Sequence, residues 1–397
     1  MSHSFVFIRK ILMLVAMPVL CCLSVSANEV GVNGKNAKDI EQWVDAYVEK
    51  ALTEGPAAGL TILVAKGDDV VFSKAYGFAD LENKTPSKIG TVYRIGSLTK
   101  QFTAVALLQL QEQGKLVLGD DIRKYLPDYP THGETITIAD ILHHTSGIKN
   151  YIRVGFSDSR IAPGRMVNDA EYRLELRPEE MTSFFRDEPL EFMPGEGWNY
   201  SNAGYYLAGL IIEKVSGLSY EEYVETNLFA PSAMAHSSYT NDEELVENRA
   251  RGYKVVDGKL LNANALSMSV PYSAGALSST VGDLFKWNRV LHKSNQLLNS
   301  ASYSQLITPG KLKNGKTVPL NYALGIAAAN RDGHVSILHP GGINGFSSML
   351  SYFPENDMTL VVLTNTYNKK SRSFADVVEL AVGAYLLDAD TAQFDFR

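Results

Sequence analysis

Cysteine is almost absent from this chain: 397 residues hold two, Cys21 and Cys22, side by side near the N-terminus. Everything after them can form no disulfide, and it offers neither a cysteine nucleophile nor a thiolate metal ligand. Excess positive charge is missing as well. Lys and Arg number 37 against 44 Asp and Glu, a formal net charge of −7. With no basic stripe to neutralise phosphates, nucleic acid is not an expected partner. Long apolar runs are also scarce. The run at residues 11–25 is shorter than the roughly 18 residues a spanning helix needs. No His-Glu-x-x-His or similar zinc pattern occurs, so His143 and His144 are expected to be structural. No metal and no other cofactor is implied.

What is present begins with a leader. Arg9 and Lys10 precede the apolar run, and Val25-Ser26-Ala27 offers a small-x-small cleavage site before Asn28. That order is the pattern of a secretory signal peptide. Residues 1–27 are therefore expected to be removed, leaving an exported protein, periplasmic or secreted, without a membrane span. Lipoprotein processing at Cys21 or Cys22 is the weaker alternative, because Leu20 and Cys21 are not the small residue usually found before such a cysteine. About 370 residues would remain, past the roughly 250–300 at which a single core stops growing, so two packed parts are expected.

Hydrophobic spacing gives the organisation. Ile40, Trp43, Val44, Tyr47, Val48 and Ala51 recur at helical spacing up to Gly55-Pro56. Two β-rich runs, 60–65 and 70–76, flank Gly67-Asp68-Asp69 as a hairpin. From Ser97 to about Arg289 helical periodicity and long loops dominate. Residues 152–190, charged and without period, predict a loop that walls a cleft. Strand signals return at 322–328, 335–339, 346–353 and 358–364, before a last helix carrying Phe374, Val377, Val378, Ala381 and Tyr385. The economical fold is α/β in the α+β sense: one antiparallel sheet built from both chain ends, flanked by helices, with an inserted helical subdomain. In residues, 28–397 form a single domain, with 38–90 and 290–397 as its α/β part and 91–289 as its mainly helical part.

Three signals carry chemistry. Ser97-Leu98-Thr99-Lys100 opens a helix, and residues three apart share a helix face at about 5–6 Å between Cβ atoms, so Lys100 can reach the Ser97 hydroxyl. A helix N-terminus also supplies unpaired N–H groups and a positive dipole end to a developing oxyanion. Tyr200-Ser201-Asn202 sits at a loop-to-helix junction, where a phenol can relay a proton and an amide can hold a substrate amide. His339-Pro340-Gly341-Gly342 ends a strand. Its glycines permit close approach, the Gly342 N–H can pair with that of Ser97 as an oxyanion hole, and Pro340 marks an edge or unpaired position. Taken alone, the first two signals read more readily as helix caps, and the third reads also as a simple strand exit. Together they are the parts of acyl transfer through a covalent serine.

These motifs resemble those of the serine β-lactamase and penicillin-binding-protein superfamily, nearest to its class C β-lactamase, D-alanyl-D-alanine carboxypeptidase and family VIII esterase branch. The resemblance spans nearly the whole chain after the leader. It includes Ile138-Ala139-Asp140-Ile141-Leu142-His143-His144-Thr145-Ser146-Gly147, Tyr200-Ser201-Asn202-Ala203-Gly204-Tyr205, Gly275-Ala276-Leu277-Ser278-Ser279-Thr280 and Gly341-Gly342-Ile343-Asn344-Gly345-Phe346. It implies a site between sheet and helical part, with Ser97 as nucleophile, Lys100 as its activating amine and Tyr200 as general base and acid. Asn202, His339, Gly341 and Gly342 would bind substrate. Whether Lys100 or Tyr200 takes the proton stays open.

One departure bears on subtype. Where class C β-lactamases carry Lys-Thr-Gly and related carboxypeptidases His-Thr-Gly, this chain has His339-Pro340-Gly341. Pro340 has no hydroxyl for a substrate carboxylate, and an ordinary histidine is largely neutral at pH 7. The expected function is thus a serine hydrolase cleaving an amide or ester, carboxypeptidase-like or esterase-like. Its partner would be a small-molecule or peptide substrate, either a cell-wall D-peptide or an acyl ester. The alternatives are a class C-like β-lactamase, with Arg153, Arg160 or Arg165 supplying the missing charge, and a non-catalytic penicillin-binding sensor. Oligomeric state is not written in any of these signals.

Overall fold

The computed structural model describes residues 31–152, 166–168, 170–368 and 373–394. The leader at 1–27 and the arginines Arg153, Arg160 and Arg165 lie outside the described residues.

Helix α1 runs over Ala37–Glu54. A capping box fixes its start: Asn36 Oδ1 accepts the Asp39 N–H at 3.0 Å, and the Asp39 carboxylate accepts the Asn36 N–H at 3.3 Å. Strands β1 (Gly59–Lys66) and β2 (Asp69–Asp80) then form a hairpin turning on Gly67, whose φ of 59° suits a residue without Cβ. The short β3 (Thr85–Pro86) follows. The other strands of the same sheet come late in the chain: β4 (Ala327–Arg331), β5 (His334–Ile343), β6 (Phe346–Phe353) and β7 (Met358–Thr364). All join one seven-stranded sheet in the order β3-β2-β1-β7-β6-β5-β4, with every neighbouring pair antiparallel. The α/β fold expected from the sequence, a sheet built from both chain ends, is the fold observed.

Between the two groups of strands lie α2 (Thr99–Glu112), α3 (Asn202–Ser216) and α4 (Val281–Lys293), and α5 (Phe374–Leu386) follows the sheet. Successive residues of a strand face opposite ways. Leu60, Ile62 and Val64 of β1, with Leu360 and Val362 of β7, therefore pack on Ile40, Val44 and Val48 of α1 and Val378 and Val382 of α5. Leu63, Val361 and Leu363 point the other way, into the core that contains Phe102, Leu207 and Trp287. The central strands are covered on both faces, which is why they read as continuous apolar runs. Among the described residues no helix is long and apolar enough to cross a membrane.

Two expectations shift. The strand predicted at 322–328 begins only at Ala327, with Tyr322 making a single bridge to Ala327. The chain kinks at Gly325, φ 70°, where a Cβ would lie 2.5 Å from the Lys100 carbonyl oxygen. The helical middle also contains short strands, among them a hairpin of Tyr253–Val256 and Lys259–Asn262. Runs of four residues are too short for a period-2 pattern to stand out.

Candidate active site

Ser97 is placed by glycine-to-backbone contacts. Strand Tyr93–Arg94 pairs with Leu277–Ser279, and a single 3-10 turn, Gly96–Leu98, leads from it into α2. Gly96 has φ 52°, and a Cβ there would stand 2.9 Å from the Gly342 nitrogen. A Cβ on Gly341 would be 2.1 Å from the Ile95 carbonyl oxygen, which accepts from Ser348 Oγ at 2.8 Å. Only residues lacking a side chain let the serine turn and β5 meet this closely. Gly342 is exposed and Gly341 buried, so the Gly342 edge of β5 opens beside the half-buried Ser97.

Lys100 lies one turn along from Ser97 and is 0% exposed. Its Nζ is 3.0 Å from Ser97 Oγ, 2.7 Å from Asn202 Oδ1 and 2.7 Å from the Ala274 carbonyl oxygen. Burial pushes this amine well below its ordinary value of 10.5. A neutral amine has two N–H donors and one lone pair. The amide oxygen and the carbonyl can only accept, so they take the two N–H groups, and the lone pair is left facing the one partner able to donate, the Ser97 hydroxyl.

Tyr200 closes the group. It is buried, its phenol is influenced by the Ser97 side chain, and its ring centroid lies 4.9 Å from Lys100 Nζ. Burial drives its phenol above the ordinary value of 10, the Ser97 side chain offsetting this in part, so the O–H is retained at neutral pH. Asn202 is held from behind, its backbone N–H donating to Asn150 Oδ1 at 3.1 Å. Its amide oxygen accepts from Lys100, which leaves the Nδ2 donors for the substrate amide expected from the sequence.

His339 differs from its expected place as a substrate contact. It is 2% exposed. Nδ1–H donates to the Pro340 carbonyl at 2.5 Å, leaving Nε2 to accept the Tyr322 hydroxyl at 3.0 Å. This is the neutral tautomer, and burial, with the Lys100 amine nearby, lowers its pKa to about 3. Tyr322 is itself buried and needs a hydrogen-bond partner, which is why the imidazole turns to it.

Ser97, Lys100, Tyr200 and Asn202 are thus brought into mutual contact, with Gly341 and Gly342 against the same turn. The sequence did not single out Ala274, Asn150 or Tyr322. A backbone carbonyl carries no residue signature, Asn150 lies three positions past the His-Thr-Ser-Gly stretch, and Tyr322 sat in a run read as strand.

Comparison with known proteins gives the chain a family. A family model described as Beta-lactamase matches residues 44–384. Penicillin-binding protein 4* of Bacillus subtilis (strain 168) is 29% identical over 77% of this chain and 67% of its own length. Protein flp of Staphylococcus aureus (strain MRSA252) is 30% identical over 82% of this chain and 63% of its own. The chain therefore spans about two thirds of the length of these curated relatives. The octameric penicillin-binding protein homologue from Pyrococcus abyssi superimposes with a TM-score of 0.73 at 29% identity, covering 89% of this chain and 78% of that one. On the match over 44–384 and the fold it shares with these relatives, the chain belongs to the beta-lactamase family.

Proposed function

We propose that this protein is an active-site-serine hydrolase that cleaves an amide or ester through an acyl-Ser97 intermediate. The observation that supports this most is the Lys100 amine, its two N–H donors engaged by Asn202 and Ala274 and its third contact aimed at Ser97 Oγ at 3.0 Å.

In this reading the Ser97 proton passes to Lys100 as Oγ bonds to the substrate carbonyl carbon. The carbonyl oxygen becomes an oxyanion, held by the main-chain N–H groups of Ser97 and Gly342. Collapse breaks the bond to the leaving amine or alcohol, which takes a proton from Tyr200, re-supplied from Lys100. Water, deprotonated through the same groups, then attacks the acyl carbon and releases the acid and Ser97. No metal or cofactor has a part in these steps.

The substrate expected is one whose binding does not depend on a fixed cation for a free carboxylate, since His339 is neutral and internally bonded. Acyl esters and amides suit that site. The leader pattern at 1–27 supports action outside the cytoplasm, as the similarity to penicillin-binding proteins also does. The test is a panel of nitrocefin, short-chain p-nitrophenyl esters, D-Ala-D-Ala peptides and D-aminoacyl amides on wild type and Ser97→Ala. Multiple turnover of at least one substrate, lost in Ser97→Ala, is expected. Binding of penicillin without turnover of anything would favour the sensor reading.

A further inference from the structure

His144 belongs to none of the steps above, yet it surrounds Tyr200 on three sides. Its carbonyl accepts the Asn199 N–H at 3.1 Å, and its ring Nδ1 accepts the Ser201 N–H, also at 3.1 Å. The imidazole itself lies 4.3 Å from the Tyr200 ring, tilted by 38°. Nδ1 as acceptor fixes the Nε2–H tautomer, and that nitrogen finds no hydrogen-bond partner among the described residues. Aromatic rings enclose it instead, with Tyr322 at 4.6 Å and Tyr205 at 5.2 Å between centroids. His144 holds φ 63°, a conformation that most side chains resist. A residue kept there, 1% exposed, with one ring nitrogen orphaned, has its place fixed by what its other atoms bind.

We propose that His144 is the positioning residue of Tyr200: by accepting the N–H groups on both sides of the tyrosine, it sets the backbone from which the phenol reaches Ser97. The assignment rests on the reading of Ser97 as nucleophile. It differs from a packing role in that its effect runs through Tyr200 alone. Misplacing a proton-relaying group by about 1 Å lowers turnover by up to about a hundredfold, whereas a loosened core lowers the folded fraction.

The experiment compares kcat and KM for p-nitrophenyl butyrate, with thermal midpoints, across wild type, Ser97→Ala, Tyr200→Phe, His144→Phe, His144→Asn and the double variant Tyr200→Phe/His144→Phe. Phenylalanine keeps a ring and removes the acceptor. Asparagine returns an acceptor at the δ1 position and tolerates positive φ. The expected result is a kcat about tenfold to a hundredfold lower in His144→Phe with KM within about twofold, and recovery of most of that loss in His144→Asn. On the Tyr200→Phe background, His144→Phe should add less than about twofold, because the group it positions is gone. Independent multiplication of the two losses overturns the proposal, as does full kcat in folded His144→Phe. If His144→Phe does not fold, His144→Asn decides: a tenfold loss in that variant with an unchanged midpoint overturns it. Activity in Ser97→Ala equal to wild type would instead remove the nucleophile reading.

Discussion

The Lys100 amine donates to the Ala274 carbonyl at 2.7 Å, and among the described residues it forms no ion pair. A buried lysine without a carboxylate lacks a counter-charge for its ammonium form, and desolvation favours the free amine. The rate of Ser97 acylation should therefore rise with pH along a limb well below 10.5, the amine's ordinary value, and stay high above it. Lys100→Arg, charged at every accessible pH, should lose about 10²–10⁴-fold in kcat/KM. A pH profile of kcat/KM checks both. A limb at the ordinary lysine value would show that the free amine is not the base.

Asn202 offers the converse experiment. Its Oδ1 sits 2.7 Å from Lys100 Nζ, and Asn202→Asp exchanges a neutral acceptor for a carboxylate of nearly the same shape. The new ion pair favours the ammonium, raises the lysine pKa and moves the limb to higher pH. At pH 7 kcat/KM should fall by about tenfold or more, since one unit of pKa shift is tenfold in the free-amine fraction. Alkaline assay should restore much of it. A loss of equal size at every pH would assign the residue to binding.

Much of this was legible beforehand, and the physical reasons differ by element. β1 and β7 showed as apolar runs because both faces are covered, and α1 showed through its spacing and its Gly55-Pro56 stop. Ser97 and Lys100 were visible because a helix fixes the relation of residues three apart. Neither Tyr322 nor Ala274 could be seen that way. Their contacts with His339 and Lys100 join segments 17 and 174 positions apart, and no local periodicity encodes such a distance. The burial of His339 was hidden for the same reason: a strand exit reads alike whether its side chain meets solvent or a tyrosine.

Acid should unfold the protein through histidines that the fold keeps neutral. His292 and His339 both titrate near 3 in the fold, mainly because burial opposes the charged ring, against an ordinary 6.5. Between those values the unfolded chain binds protons that the folded one does not, so stability rises with pH across the window. It is fully present above 6.5 and lost as pH falls toward 3, at about 1.4 kcal/mol per unit of separation for each group. Asp376 works in the opposite direction, its carboxyl raised by burial to about 6, and it offsets part of one histidine. Urea midpoints from pH 7 to pH 4 should fall, and fall less in His292→Gln. Equal slopes in the two proteins would count against this origin.

The glycine contact behind Ser97 predicts a loss that is geometric in kind. Gly96→Ala must place a Cβ 2.9 Å from the Gly342 nitrogen at φ 52°, so the serine turn and β5 must separate. Strain of this sort costs about 1–3 kcal/mol. Separating Ser97 from the Gly342 N–H removes one oxyanion donor, an effect of about 10²–10³ in kcat. Fluorophosphonate labelling of Ser97 should slow accordingly while circular dichroism stays native. Normal labelling in a folded Gly96→Ala would mean that Gly342 does not serve the oxyanion.

The neutral His339 makes a prediction about substrates that separates this chain from a carboxylate-binding relative. A site that recognises a terminal carboxylate by a charge-assisted hydrogen bond gains about 1.5–3 kcal/mol from it, or about tenfold to a hundredfold. Here the ring at that motif carries no charge above its pKa of about 3, and both its nitrogens are already bonded, to Pro340 and Tyr322. A matched pair, a D-alanyl dipeptide ester bearing a free carboxylate and its methyl ester, should show no advantage for the acid, and the methyl ester should have the lower KM. Tyr322→Phe frees Nε2 and leaves this ranking unchanged at pH 7, because an unbonded imidazole in the same buried setting is still neutral. Should the free acid bind tenfold better in wild type, a cation from another part of the chain must reach the cleft, and the preference for neutral acyl substrates falls.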